Sequence, residues 1–187
     1  MPYFQHKSWA PFVYGGVSHD LAHLDEYELT IKDTGGVDRR IAVTFGDHCF
    51  TCEAQPGYNP TLVYPTSSRR PGLFSFDRYH HSLGLVEHIA QATQGQVWSV
   101  GGDNFAVVSG VNHLGKQVSY NIIFSLDRVR RLPIPIDLRM HVKTAYPGLE
   151  PPVTFGSTRF RHLVALRMQG KGPGRITTPG RKVPRLP

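Results

Sequence analysis

Long apolar runs and cysteines are both scarce in this chain of 187 residues. No apolar stretch exceeds four or five residues, whereas a membrane-spanning helix needs about 20, so we expect no membrane segment. Residues 1–7 also lack the apolar core of a secretory signal. The two cysteines, Cys49 and Cys52, would point to opposite faces of a strand, which disfavours a disulfide between them. We therefore expect a reduced, cytoplasmic protein.

Acidic residues are nearly absent from the last third of the chain. Residues 128–187 contain 13 Lys and Arg against 2 Asp and Glu, whereas residues 1–127 contain 8 against 12. The formal net charge of +7 therefore hides a segment that is far more basic than the whole. Dense positive charge attracts polyanions, and nucleic acid is the commonest of these in cells. Basic segments also occur as solvated tails without a specific partner, but we expect a nucleic-acid partner, with RNA favoured.

The N-terminal half is predicted to form a hairpin followed by a loop. Residues 26–31 and 40–51 alternate polar with apolar side chains on either side of a glycine-rich turn, which is typical of two paired strands. Residues 54–75 contain several prolines and glycines, which predict a long connection without regular structure. Long loops of this kind often carry function, for example as a lid.

One helix and five further strands are predicted after this loop. Ser75 is a favourable N-cap and Gly95 a favourable end, and the spacing between them predicts that Leu83, Val86 and Ile89 are buried. Period-two patterns then predict mostly antiparallel strands at 97–100, 104–109, 119–127, 138–146 and 160–168.

This order of elements predicts an α+β fold, with one main helix packed on a twisted, mostly antiparallel sheet. Residues 1–169 are expected to form a single domain. Residues 170–187 are rich in glycine, proline and basic side chains and have little apolar mass, so we expect a disordered basic tail.

The strand at 138–146 carries the sharpest functional pattern. Alternation places Arg139, His141 and Lys143 on one face, with about 7 Å between successive positions. Arginine and lysine bind phosphate oxygens, and histidine exchanges a proton near neutral pH. These residues are therefore candidates to hold and cleave a phosphodiester; the alternative is a strand face that is polar because it is solvated.

The strand predicted at 160–168 would extend this cationic surface. Arg161 and Arg167 would share one face, whereas His162 would lie on the apolar face and serve as a buried core histidine rather than as an acid or base.

Several other polar residues are candidates for a site. In the segment 45–53, His48 is a candidate acid or base. The same segment contains Cys49 and Cys52, but a zinc site is unfavourable because no second cysteine pair accompanies them. We expect no metal and no other cofactor. The remaining candidates for nucleic-acid binding are the loop pair Arg69 and Arg70 and the tail residues Lys171, Arg175, Arg181 and Lys182.

Two patterns are similar to known groups of proteins. Phe45-Gly46-Asp47-His48-Cys49-Phe50-Thr51, followed by Phe76-Asp77-Arg78-Tyr79 at a helix start, resembles small uncharacterised proteins of bacterial mobile elements and plasmids, over most of residues 20–170. The order of elements, including the strands at 120–124 and 138–144, is similar to the RelE/barnase-like nuclease fold. That second resemblance implies a metal-independent ribonuclease, often a toxin, which uses basic and histidine side chains on the sheet face.

The function expected from these patterns is a metal-independent ribonuclease of toxin type. His141 or His48 would act as general acid or base, and Arg139, Lys143 and Arg167 would hold the phosphate. The basic tail would add affinity by releasing counterions. The alternative is an accessory factor or inhibitor, encoded by a mobile element, that binds nucleic acid or protein without catalysis. Possible protein partners are an antitoxin or a larger ribonucleoprotein complex, and no membrane partner is expected.

Overall fold

The computed structural model confirms the α+β fold, with three helices packed against a mostly antiparallel sheet. It describes residues 3–4, 8–65, 72–100, 102–111, 117–130, 134–148 and 153–172. Most of the predicted basic tail lies outside the described residues.

The main sheet has seven strands in the order β12-β8-β9-β10-β11-β4-β3. All neighbouring pairs are antiparallel except β11 and β4, which run parallel. The predicted hairpin is therefore joined to the later strands through its second strand. The strand bounds are β3 Tyr27–Lys32, β4 Asp38–Phe45, β8 Gln96–Val100, β9 Asp103–Val111, β10 Gln117–Arg128, β11 Leu138–Pro147 and β12 Ser157–Arg159.

Two smaller sheets lie before the helices. The first pairs β1 with β2, and the second has the order β5-β7-β6. The prediction of an unstructured loop at 54–75 is wrong, because β6 and β7 of the second sheet lie within it. Contacts of aromatic side chains hold these strands against the N-terminal segment. Phe74 stacks on Phe12 with ring centroids 4.1 Å apart, and the Tyr64 hydroxyl donates to the Ala10 carbonyl. The bounds are β1 Phe12–Tyr14, β2 Val17–His19, β5 Thr51–Glu53, β6 Val63–Tyr64 and β7 Gly72–Phe74.

The helices cover the apolar face of the main sheet. They are α1 (Phe76–Ser82), α2 (Leu85–Gln94) and α3 (Phe160–Met168). Strand alternation directs one set of side chains to this face, where Ile41, Phe124 and Met140 are completely buried. The core therefore lies between the sheet and the three helices.

The single helix predicted between Ser75 and Gly95 is interrupted at its middle. Ser75 does cap α1, since its hydroxyl accepts from the Arg78 backbone N–H, but α1 ends at Ser82 and α2 begins at Leu85. Gly84 precedes α2 with a non-helical backbone. The break shifts the helical phase, so the predicted burial of Leu83 and Val86 is wrong: both are exposed, whereas Ile89 is buried as predicted.

Candidate functional site

The row of residues predicted on β11 lies on the side of the sheet opposite the helices. Leu138, Met140 and Val142 are fully buried in the core. Between them, Arg139 and His141 are half-buried and Lys143 is exposed. The pairing with β10 shifts register beside Lys143, since Phe124 pairs with Val142 and Ile123 with Thr144.

The two cations of this row already have partners. The Lys143 ammonium pairs with the carboxylate of Asp103 on β9 at 2.8 Å. The Arg139 guanidinium lies 5.1 Å from the centre of the Phe4 ring, and its Nε donates to the Thr44 hydroxyl at 3.4 Å. Phosphate binding at this row would therefore compete with Asp103 for Lys143.

His141 is enclosed between the strands of this row. Its Nδ1 lies 3.0 Å from the hydroxyl of Thr44, a buried residue on the parallel strand β4. A Cβ atom built on Gly46 would lie 3.6 Å from the Nε2 atom of His141, so the turn after β4 passes directly beside that nitrogen. Burial, together with Arg139 and Lys143, lowers the pKa of His141. The imidazole is therefore neutral at pH 7 and can accept a proton.

His48 does not lie on a strand. β4 ends at Phe45, and Asp47–Cys49 forms a 3-10 turn, so the strand predicted over 40–51 is too long. The His48 side chain is exposed, and its carbonyl oxygen accepts from Arg78 at 2.7 Å and from Thr144 at 3.3 Å. Cys49, in the same turn, is fully buried, and burial raises the pKa of its thiol to about 12. A thiol in that state is a poor nucleophile.

The strand predicted at 160–168 is a helix. In α3 the buried residues are Phe160, Leu163 and Val164, at the spacing of one helical face. The prediction that His162 is a core histidine is wrong, because its side chain is exposed. Arg161 and Arg167 do not share a strand face.

Arg161 and Arg167 instead lie near opposite ends of α3. Arg161 Nε donates to the backbone carbonyl of Lys32 on β3. Arg167 lies in the last turn of the helix.

The last turn of α3 brings four basic residues together. Arg128, Arg130, Arg167 and Lys171, with Asp127, surround a cavity of about 240 Å³ that we call the cationic pocket. The chain turns sharply here, because Gly170 has a φ of 73° and the Lys171 N–H donates to the Leu166 carbonyl at 2.9 Å. This arrangement is a Schellman-type helix end. It places Lys171 beside the arginines of α3 and of the chain after β10.

Arg167 is the most enclosed member of the cationic pocket. Its Nε is buried and has no hydrogen-bond partner among the described residues. Burial lowers the pKa of its guanidinium. By contrast, Arg128 donates to the Met168 carbonyl at 2.9 Å and thereby caps the helix. Arg167 nevertheless lines the cavity, so an anion there would meet the accessible part of its guanidinium rather than the buried Nε.

Asp127 connects the cationic pocket to the row on β11. It lines the pocket, and it stands opposite Arg139 in the pairing of β10 with β11. The negative charge of Asp127 raises the pKa of both His141 and Arg167. In each case burial lowers the pKa by more, so the net shift is downward. The Asp127 carboxylate is therefore a neighbour both of the cationic pocket and of the row on β11.

The structure thus brings Arg167 and Lys171 together and adds two residues that the sequence analysis did not select, Arg128 and Arg130. Their signal is present in the sequence as the run Arg128-Val129-Arg130-Arg131, where the basic segment begins. Five candidates lie outside the described residues and stay predictions: Arg69, Arg70, Arg175, Arg181 and Lys182.

The ranges that the structure describes contain neither a group of metal ligands nor a membrane-spanning helix. In those ranges no three His, Cys, Asp or Glu side chains are grouped so that they could hold a metal ion. No helix there is long and apolar enough to cross a membrane.

The fold and its polar face define an α+β protein with a mixed seven-stranded sheet and a group of basic side chains at one end of its last helix. The chain belongs to the YjaZ family, whose model matches residues 11–167. That match includes the row on β11 and Arg167, and it ends before Lys171. Neither the curated proteins nor the solved structures contain a match to the chain.

Proposed function

We propose that this protein binds single-stranded nucleic acid, with RNA favoured, through the cationic pocket. The observation that carries the proposal is the convergence of Arg167 with three further cations on one cavity. Arginine N–H groups in such a setting match phosphate oxygens in charge and geometry. Among the described residues, Asp127 contributes the one carboxylate that lines this cavity, against four basic side chains.

A simpler role for these cations is to stabilise the carbonyl end of α3. Positive side chains are favourable there because of the helix dipole, and Arg128 acts in this way through Met168. This role does not explain why Arg130 and Arg167 line the same cavity. Their convergence with Lys171 on one cavity supports a ligand role beyond capping.

Binding to a labelled single-stranded RNA, measured by fluorescence anisotropy over a range of salt concentrations, tests the proposal. Arg130→Gln and Arg167→Gln should each weaken binding and reduce the slope of log affinity against log salt by about 1, because one phosphate contact is lost. Arg161→Gln is the matched control, since it removes the same charge from α3 outside the cationic pocket. Equal losses in all three variants would indicate non-specific charge attraction and contradict the proposal.

A second candidate function, metal-independent cleavage of the bound RNA, is favoured by the position of His141. For this role, Nδ1 would donate to Thr44 while the Thr44 hydroxyl donates to the Met140 carbonyl, the two bonds being 3.0 and 3.5 Å long. Nε2 would then be the proton acceptor beside Gly46. Asp127, which lines the cationic pocket, stands opposite Arg139, two residues before His141 on β11.

Cleavage assays separate this second candidate from binding alone. His141→Ala should leave RNA binding nearly intact and slow cleavage by about 10²–10⁴-fold, and cleavage should persist in EDTA. His48→Ala tests the other candidate histidine, and His80→Gln, an exposed histidine on α1, is the control. If cleavage is abolished by EDTA, the metal-independent mechanism is wrong. If the wild type binds RNA without cleaving it, the protein is an accessory binding factor.

A further inference from the structure

A second cavity opens on the other side of the last turn of α3. Its volume is about 460 Å³, and it is lined by residues of this helix, of the edge strand β12 and of its neighbour β8. Its apolar and aromatic walls are formed by Trp98, Phe155 and Leu166, and His162 stands at its rim. We call it the aromatic cavity.

The aromatic cavity adjoins the cationic pocket. Lys171 lines both. Leu166 lines the first and its chain neighbour Arg167 the second, and successive Cα atoms are only about 3.8 Å apart. A single ligand with a flat apolar part and an anionic part can therefore occupy both cavities at once.

From this juxtaposition we infer that the aromatic cavity holds a nucleobase whose phosphate occupies the cationic pocket. This inference rests on the proposed function and identifies the part of the nucleotide that gives specificity for single strands. A base stacks on aromatic side chains regardless of its identity. The aromatic cavity can receive a base only if that base is not paired or stacked within a duplex.

The walls also carry groups that can meet the edges of a base. Ser99, Ser157 and Thr158 contribute hydroxyl groups that can donate or accept hydrogen bonds. The position of Phe155 is fixed by the backbone, since its N–H donates to the Ser99 carbonyl at 2.9 Å, while Ser99 N–H donates to the Gly156 carbonyl at 3.0 Å. The Phe155 side chain is nevertheless 49% exposed. A large aromatic ring held at the mouth of a cavity is suited to stacking.

The test compares four probes on the full-length protein: a single-stranded RNA, an abasic strand with the same number of phosphates, the corresponding duplex, and a nucleoside monophosphate. We expect tightest binding to the single-stranded RNA. Phe155→Ala should weaken that binding about fivefold to a hundredfold, which is the range for loss of one stacked base, and should leave the abasic strand unaffected. Val153→Ala is the matched control, because Val153 is an exposed apolar residue of the same segment that does not line the cavity.

Intrinsic tryptophan fluorescence supplies a second measurement, which reports directly on contact between the nucleotide and Trp98. The chain has two tryptophans, and Trp9 packs against Phe50 and Tyr64, away from the cavity. Bound nucleotide should quench the tryptophan emission in the wild type, and Trp98→Phe should remove the quenching.

The outcomes distinguish this inference from the proposed function. If the RNA and the abasic strand bind equally and Phe155→Ala changes neither, while Arg167→Gln weakens both, the base site is wrong and the phosphate site stands. Saturable binding of the nucleoside monophosphate without binding of RNA would support the base site and contradict the proposed function. If neither RNA nor the monophosphate binds to the wild type, both are wrong.

Discussion

The Arg161 guanidinium donates through Nε to the backbone carbonyl oxygen of Lys32 at 2.9 Å, across 129 positions of sequence. Arg161 follows β12 at one edge of the main sheet, and Lys32 ends β3 at the other edge. The first turn of α3 therefore connects the two edge strands of the sheet.

Arg161→Ala should lower the free energy of unfolding by about 0.5–1.5 kcal/mol, because one hydrogen bond between the two edges is lost. Lys32→Ala is the control, because the accepting group is a backbone carbonyl. The Lys32 side chain makes an exposed ion pair with Asp38 and an exposed 3.5 Å bond to the Gly36 carbonyl, which contribute little. Chemical denaturation of both variants measures the difference. Equal costs would show that the bond to Arg161 does not stabilise the fold.

Leu85→Ala should lower the free energy of unfolding by about 2–5 kcal/mol, because Leu85, the first residue of α2, is completely buried. Leu83→Ala, two positions earlier and half exposed, should change stability by less than about 0.5 kcal/mol. Thermal or urea unfolding of the pair checks where the helix break lies. Reversal of the two effects would mean that Leu83, and not Leu85, faces the sheet.

The protein should lose stability as the pH falls from about 7 to about 5. Burial lowers the pKa of His23, His88 and His141 from the ordinary value of 6.5, so the unfolded chain binds protons on these residues more readily than the folded one. Their contribution is present above pH 6.5 and is lost as the pH falls through the lowered values.

The variant for this test is His88→Gln. It should make the dependence of unfolding free energy on pH shallower, whereas His80→Gln, at an exposed position on α1, serves as the control. Urea titrations at a series of pH values provide the measurement. Stability that rises on acidification would contradict the sign of these shifts.

Gly170→Ala should destabilise the protein by about 1 kcal/mol and weaken RNA binding. The φ of 73° at Gly170 is costly for any residue with a Cβ, and that atom would lie 3.2 Å from Nη2 of Arg130. Gly172→Ala is the control, because its nearest described neighbour, Nη1 of Arg167, would be 3.9 Å from the added atom. Thermal melting and anisotropy on the same samples report the two effects separately.

Removal of residues 173–187 should leave the melting temperature nearly unchanged and reduce both RNA affinity and its salt dependence. The truncated chain keeps Gly170 and Lys171, which end α3, but loses the basic residues Arg175, Arg181 and Lys182. A large drop in melting temperature would show that these residues belong to the folded domain. An unchanged salt slope would show that they contribute nothing to binding.

Much of the sheet could be predicted from the sequence because its strands obey a strict period of two. Alternation on β11 gives the correct face for Arg139, His141 and Lys143, since the opposite side chains are fully buried. The same reasoning failed at 160–168, where a short apolar run fits both periods. The helical signals there are Arg167 in the last turn and Gly170 after it.

The candidate site was less predictable because it depends on tertiary contacts. Arg128 and Arg167 are distant in sequence and meet only because α3 packs beside β10. Strand patterns also cannot reveal that Lys143 is neutralised by Asp103 from two strands away. Sequence spacing identifies side chains on one element, whereas a pocket combines several elements.

The parallel pairing of β4 with β11 imposes an order on folding. The two strands meet at positions 97 residues apart, as in Ile41 with Leu138, so the β3–β4 hairpin leaves the ribosome long before its partner strand exists. At 5–20 residues per second the interval is roughly 5–20 s, during which one edge of β4 has no partner strand. Loop closure over that distance is slow compared with hairpin formation. One edge of β4 therefore stays open to pairing with other strands until β11 has been made.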